Sequence, residues 1–228
     1  MSEGLKSFVV AAVGDWNFQI FNEKSLGKNW AFVSTPKDLD KKLMKLKPCF
    51  IFFLHWRWIV PDPILEKYKC ICFHMTDLPY GRGGSPLQNL ILNGHKETKL
   101  SAIRMSSELD AGPVYLKKDL SLDGPAWKIY ERASLLSWDI IKELITKDIR
   151  PKEQVGQATY FKRRRPCDSE IPQKITDTEL YDFIRMLDVQ GYPKAFLRHG
   201  NRLLEFDQAS LESGELTARV RMVKDERN

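Results

Sequence analysis

Four cysteines in 228 residues, only two of them close together, leave little room for a disulfide framework or a zinc site. Cys70 and Cys72 stand in a CxC spacing. On a strand that spacing sends the two side chains to opposite faces, and no CxxC or HxxxH accompanies it. Cys49, Cys70, Cys72 and Cys167 are therefore expected as buried free thiols in a reducing compartment, and no metal is expected. Long apolar runs are missing too. None reaches the roughly 18 residues that span a bilayer, and Met1–Lys6 lacks the apolar stretch of a secretory leader. A soluble cytoplasmic chain with no membrane partner is the expectation. The first βα turn has a single glycine, Gly14, in place of GxGxxG, and GxxxxGK[ST], GxSxG and HExxH do not occur. These gaps argue against dinucleotide, P-loop, serine-hydrolase and zinc-protease chemistry. There are no internal repeats and no low-complexity tract.

What the chain does have is 43% hydrophobic and 11% aromatic residues, enough for a sizeable core, and a formal charge of +6, which favours an anionic partner. Short apolar runs alternate with helical stretches. Ser7–Val13, Trp30–Val33, Cys49–Trp56 and Lys69–His74 read as strands; helices are expected near Trp16–Asn22, after Pro36, and after Pro61-Asp62-Pro63. Alternation of this kind predicts an α/β fold with a mostly parallel sheet covered on both faces. A glycine- and proline-rich loop, Leu78–Pro86, then leads into a helix over Leu87–Leu92. Strands follow at Leu100–Met105 and Tyr115–Leu120, then a long helix over Pro125–Thr146. A shift in composition at Pro151–Pro172 divides a domain over 1–165 from a small α+β extension over 166–228, and the run Lys162–Arg165 lies in it, as a solvated linker or a phosphate-facing patch. Thr176 and Glu179 form a capping box, and Ala195–Arg198 with Leu203–Asp207 read as a hairpin, a candidate surface for a homodimer.

Polar residues gather where polarity is costly. His74 ends a predicted central strand, the edge at which open α/β sheets hold ligands, and the glycine-rich loop follows at once. Asp110 lies in the turn-like Glu108-Leu-Asp-Ala-Gly-Pro113. A His–Asp pair can take a proton from an attacking amine and stabilise a developing oxyanion. Taken singly, each residue has a structural alternative: a hydrogen-bonded strand-end histidine, and an aspartate that forms a turn.

The ordered stretches His74-Met-Thr-Asp-Leu-Pro79, Arg82-Gly-Gly-Ser-Pro86, Gly94…Thr98 and Leu109-Asp-Ala-Gly-Pro113 resemble the folate-dependent formyltransferase family, which includes methionyl-tRNA formyltransferases and sugar N-formyltransferases. The resemblance implies a Rossmann-like formyltransferase fold and 10-formyltetrahydrofolate as cosubstrate. It places His74 and Asp110 in a catalytic set whose third member, an asparagine, is Cys72 here, a weak donor in place of an amide. A donor between Gly83 and Asn89 could stand in for it. The resemblance further implies that Trp58 and Val60 form one wall of the pterin site and Ser106, Ser107 and Asp110 the other, with Tyr80 and Arg82 meeting the amine substrate. Roughly 60 residues follow Pro166, fewer than a tRNA-gripping barrel needs and more than the small purine-pathway enzymes carry. On that ground the expected acceptor is a UDP- or dTDP-linked amino deoxysugar of glycan biosynthesis, and nucleic acid is not the expected partner. The alternatives are methionyl-tRNA formylation, or a folate- or nucleotide-sugar-binding module that has lost turnover.

Overall fold

Phe8–Ala12 (β1) is buried at all five positions, as a strand covered by helices on both faces must be. It opens a series of elements: Asp15–Lys24 (α1), Trp30–Val33 (β2), Pro36–Lys45 (α2), Phe50–Leu54 (β3), Asp62–Lys67 (α3) and Cys70–His74 (β4). There follow Arg82–Gly83 (β5), Pro86–Leu92 (α4), Glu97–Arg104 (β6), Val114–Ser121 (β7), Ala126–Thr146 (α5), Tyr160–Phe161 (β8), Asp177–Arg185 (α6), Ala195–His199 (β9), Arg202–Glu212 (β10) and Glu215–Lys224 (β11). The structure, a computed structural model, describes residues 6–25, 27 and 29–225. Met1–Leu5, most of the stretch read for a leader, lies outside the described residues.

The main sheet has the order β2-β1-β3-β4-β6-β7. β1 pairs in parallel with β2 and β3, and β3 with β4, whereas β6 runs antiparallel to β4. The chain leaves β1 to one side and returns on the other, so the order reverses between β1 and β3. The loops after those strands flank the crevice where such sheets bind ligands. One face of the sheet buries Val9, Ala11, Ile51, Phe53 and Cys70 against Leu39 of α2, with Ile64 and Leu65 of α3 alongside. On the other face Trp138 of α5 lies 5.2 Å from Trp30 and 6.1 Å from Phe21 between ring centres. The α/β class and the mostly parallel sheet are as the sequence leads one to expect.

Local chemistry sets the helix starts. Thr35 caps α2 by accepting from the Asp38 N–H, with Pro36 in the first turn. Thr176 and Glu179 make the reciprocal capping box of α6.

The chain divides into two compact units: one of residues 1–83, 98–120 and 131–160, the other of 84–97, 121–130 and 161–228. In the second, β9, β10 and β11 form an antiparallel sheet with a bulge after Asp207, where the Gln208 N–H donates to Asp188 at 3.0 Å. Arg164 of the basic run lies over the Phe183 ring, while Lys162, Arg163 and Arg165 are exposed. All four cysteines are free, but only Cys70 is fully buried; Cys49 and Cys167 are exposed, against expectation, because they fall just outside the strand and in a turn.

Candidate active site

β4 delivers His74 to the rim of the sheet, and the turn between β6 and β7 delivers Asp110. His74 Nδ1 stands 3.5 Å from Asp110 Oδ2, with both side chains about nine-tenths buried. The other ring nitrogen, Nε2, is 2.8 Å from the Gly81 carbonyl oxygen. Oxygen acceptors thus flank the ring at both nitrogens. Both contacts are hydrogen bonds only when each nitrogen carries a proton. The Gly83 N–H donates to Asp110 Oδ2 at 2.9 Å, so the carboxylate is held from the loop side as well.

Asp110 occupies the left-handed region, at φ 54°, a conformation in which aspartate is less strained than most residues. The turn around it is tight. A Cβ on Gly112 would fall 1.7 Å from the Arg104 carbonyl oxygen, so only glycine fits. The 78–83 loop is pinned in turn. The Gly81 N–H donates to Thr159 Oγ1 at 2.7 Å, the Arg82 N–H to the Thr159 carbonyl at 2.9 Å, and Lys117 to Asp77 and the Leu78 carbonyl.

Cys72, two residues before His74, is half-buried, and burial followed by the nearby Asp110 charge pushes its thiol well above the ordinary range. It is a neutral, weakly donating group. Three of the donors proposed to stand in for the missing amide are committed elsewhere. Gly83 serves Asp110, the Gly84 N–H donates to the Phe161 carbonyl, and Asn89 Nδ2 donates to the carbonyls of Gly84, Ser85 and Lys162.

Trp58 is exposed on the loop after β3 and meets Trp56 edge-on at 4.8 Å. Val60 is buried in the apolar cluster against which Trp56 and Met105 pack, and this brings the loop after β3 to the start of the Ser106–Ser107 segment. Both serines are exposed; Ser106 Oγ donates to the Glu108 carbonyl. Tyr80 is half-buried in the loop. Arg82 does not reach outward: its guanidinium is bonded to Gln154, Glu108 and Tyr160. Gln154 and Thr159, which no sequence pattern singles out, are thus part of the site's frame. The only signal available was that both lie in a polar stretch that ends in an aromatic pair.

His55, at the end of β3, adds a second polar feature. Asn17 Nδ2 donates to its Nδ1 at 3.1 Å and to the Val13 carbonyl. Desolvation, and then the charge of Arg57, pull the pKa of His55 down to about 4. Among the described residues no group of three His, Cys, Asp or Glu side chains is placed to hold a metal.

A doubly wound sheet with a buried imidazole–carboxylate pair beside a glycine-rich loop, at the carboxyl edge of its parallel strands, defines a Rossmann-like α/β protein whose site has the groups that acid–base chemistry needs. The Formyl transferase family profile matches residues 14–124, and that of the Methionyl-tRNA formyltransferase C-terminal domain matches 166–223. A solved structure titled methionyl-tRNA formyltransferase from Clostridium thermocellum is 43% identical, with a TM-score of 0.92, covering 96% of this chain and 100% of that one. The methionyl-tRNA formyltransferases of Thermodesulfovibrio yellowstonii and Helicobacter pylori (strain P12) are 32% and 29% identical over 64% and 88% of this chain. The chain belongs to the formyl transferase family. It spans half to about two thirds of the length of those two curated relatives, covering 50% and 65% of them.

Two expectations are overturned here. A nucleotide-linked amino sugar as acceptor, and the expectation against a nucleic-acid partner, both rested on the length of the tail. Yet the 43% identical relative, matched over its whole length, carries the methionyl-tRNA formyltransferase name with a tail of the same kind. Structures titled a likely sugar N-formyltransferase from Mycobacterium tuberculosis and an N-formyltransferase from Helicobacter canadensis with dTDP-3-aminofucose are only 10% and 15% identical and share the fold alone. Tail length does not discriminate between acceptors. Among the described residues no helix is long and apolar enough to cross a membrane.

Proposed function

We propose that this chain transfers a formyl group from 10-formyltetrahydrofolate to the α-amine of the methionyl group on a charged tRNA. One observation carries the chemistry: His74 and Asp110 meet at 3.5 Å on the sheet edge, with Asp110 held from behind by the Gly83 N–H. The acceptor is supported by the 43% identity to a methionyl-tRNA formyltransferase of matching extent, and the net charge of +6 suits a polyanion.

In this reading the amine nitrogen attacks the formyl carbon and the carbonyl electron pair moves to oxygen, giving a tetrahedral intermediate. The bond to N10 of the folate then breaks, and N10 leaves with a proton. His74 stands beside the developing oxyanion and supplies positive charge when both its nitrogens are protonated. Asp110 orients the ring and draws off the proton that the amine releases. Cys72 contributes shape but little hydrogen bonding. Trp58 and Val60 on one side, and Ser106, Ser107 and Asp110 on the other, form the pterin site. Tyr80 faces the amine substrate, and Arg82 acts on it through the loop.

The test is transfer of labelled formyl from 10-formyltetrahydrofolate by the full chain, with charged methionyl-tRNA, uncharged tRNA and free methionine as acceptors. Label is expected on the charged tRNA alone. Equal labelling of free methionine, or none on any acceptor, would overturn the proposal.

A further inference from the structure

Gln154 lies in the polar stretch between α5 and β8, outside every regular element and every motif considered above. Its side-chain amide has no spare capacity. Nε2 donates to the Asp110 carbonyl at 2.8 Å and to the Gly112 carbonyl at 2.9 Å. Oε1 accepts from Arg82 Nε at 3.2 Å and from Nη2 at 2.9 Å. A single amide therefore ties the carboxylate-bearing turn to the glycine-rich loop, and both donors and both lone pairs are used.

The two ends of this tie are the two parts that must stay in register. Asp110 holds a left-handed backbone, which persists where surrounding contacts over-determine it, and two of those contacts are the bonds to the carbonyls at 110 and 112. Arg82 adjoins Gly83, whose N–H holds the Asp110 carboxylate. Arg82 is itself anchored by Glu108 at 3.1 Å and lies over the Tyr160 ring. Release of Gln154 removes the link from the 110 and 112 carbonyls to Arg82 and leaves the Gly83–Asp110 and Arg82–Glu108 bonds to hold the turn against the loop. The distance between the Gly83 N–H and Asp110, and with it the angle at which the carboxylate meets His74, is then less tightly fixed.

We infer that Gln154 is a positioning residue for the His74–Asp110 pair: its side-chain amide clamps the 108–112 turn to the 81–83 loop and so sets the orientation of the Asp110 carboxylate. The inference rests on the formyl-transfer reading above. The amide nitrogen is the working part, since Arg82 would be satisfied by any acceptor.

Gln154→Glu separates the clamp from mere space-filling. It keeps the volume and the acceptor for Arg82 but sets an oxygen against two carbonyls. In the full chain, its kcat is expected to fall by roughly 10- to 100-fold, as loss of two ordinary hydrogen bonds predicts. KM for either substrate should move less than about threefold, because the effect lies in the orientation of the reacting groups. The Gly83 amide should exchange with deuterium at least tenfold faster, as read by NMR. Gln154→Met, equally long but without polar atoms, should do the same, so a folding failure of one variant does not decide the matter. Parent-like kcat and parent-like Gly83 exchange in either folded variant would overturn the inference. If the parent chain transfers no formyl group, the functional reading falls, and the Gly83 exchange rate still decides whether Gln154 holds the turn.

Discussion

Asp110 combines a left-handed backbone with a buried carboxylate, and asparagine tolerates that backbone equally well. Asp110→Asn should therefore fold normally and keep an acceptor for the Gly83 N–H while losing the charge. Its formyl-transfer kcat is expected to drop by roughly 10²- to 10⁴-fold in steady-state assays, with circular dichroism unchanged. Cys72 makes the opposite experiment possible. Its thiol is held neutral by burial, and an amide there would donate where the thiol does not. Cys72→Asn is expected to raise kcat by about tenfold, part of the 10²- to 10³-fold that one oxyanion donor can supply; a single-turnover measurement reads this directly. His74 and Asp110 were legible in the sequence because strand end, glycine loop and acidic turn each leave a local signature, whereas Cys72 entered the site only through the family resemblance. Gln154 left none. Its partners are a carbonyl at 110, a carbonyl at 112 and a guanidinium at 82, none of them near it in the chain.

Elements with a regular period were readable, and elements made by long-range pairing were not. The continuous apolar runs of β1 and β3, the proline at the start of α2 and the capping box of α6 all act over a few residues. β5 and β8 are two residues each and exist because the Arg82 N–H finds the Thr159 carbonyl. No periodicity can announce such a pair. The turn between β6 and β7 depends on close approach: the Arg104 N–H donates to the Pro113 carbonyl at 2.9 Å, with Gly112 pressed on the Arg104 carbonyl. Gly112→Ala cannot be absorbed by a side-chain shift, since the clash is with backbone. It is expected to destabilise the chain by about 2–4 kcal/mol in urea melts and to lower transfer as the Asp110 turn moves. At the cap of α6, Thr176→Ala removes an acceptor for the Glu179 N–H and should cost about 1 kcal/mol in the same melts, with little effect on kcat.

At the scale of the whole chain, one property is testable without knowledge of the acceptor, and a second follows from the net charge. His55 has its pKa lowered from 6.5 to about 4 in the folded state, so the unfolded chain binds the proton more readily. The stability due to its neutral form is complete above pH 6.5, falls as pH drops from 6.5 to 4, and is flat below. The loss is on the order of 3 kcal/mol. Urea melts across that range should show this slope, and His55→Gln should remove most of it. The charge of +6 predicts a salt-dependent grip on a polyanion. In the methionyl-tRNA reading, KM for the charged tRNA is expected to rise at least tenfold between 50 and 200 mM salt, while KM for the folate moves little.

The amino-acid sequence by itself determined the alternation of strands and helices, the mostly parallel sheet, and the presence of an imidazole, a thiol and a carboxylate at its rim. Each of these depends on nearest-neighbour chemistry: the period of burial, capping, and the backbone freedom of glycine. Only the tertiary structure decided which nitrogen of His74 faces Asp110, that Arg82 turns inward to the loop, and that Gln154 spans the two segments. These are matters of angle and distance between residues far apart in the chain, and it is packing, through close contact of backbone with backbone, that sets them.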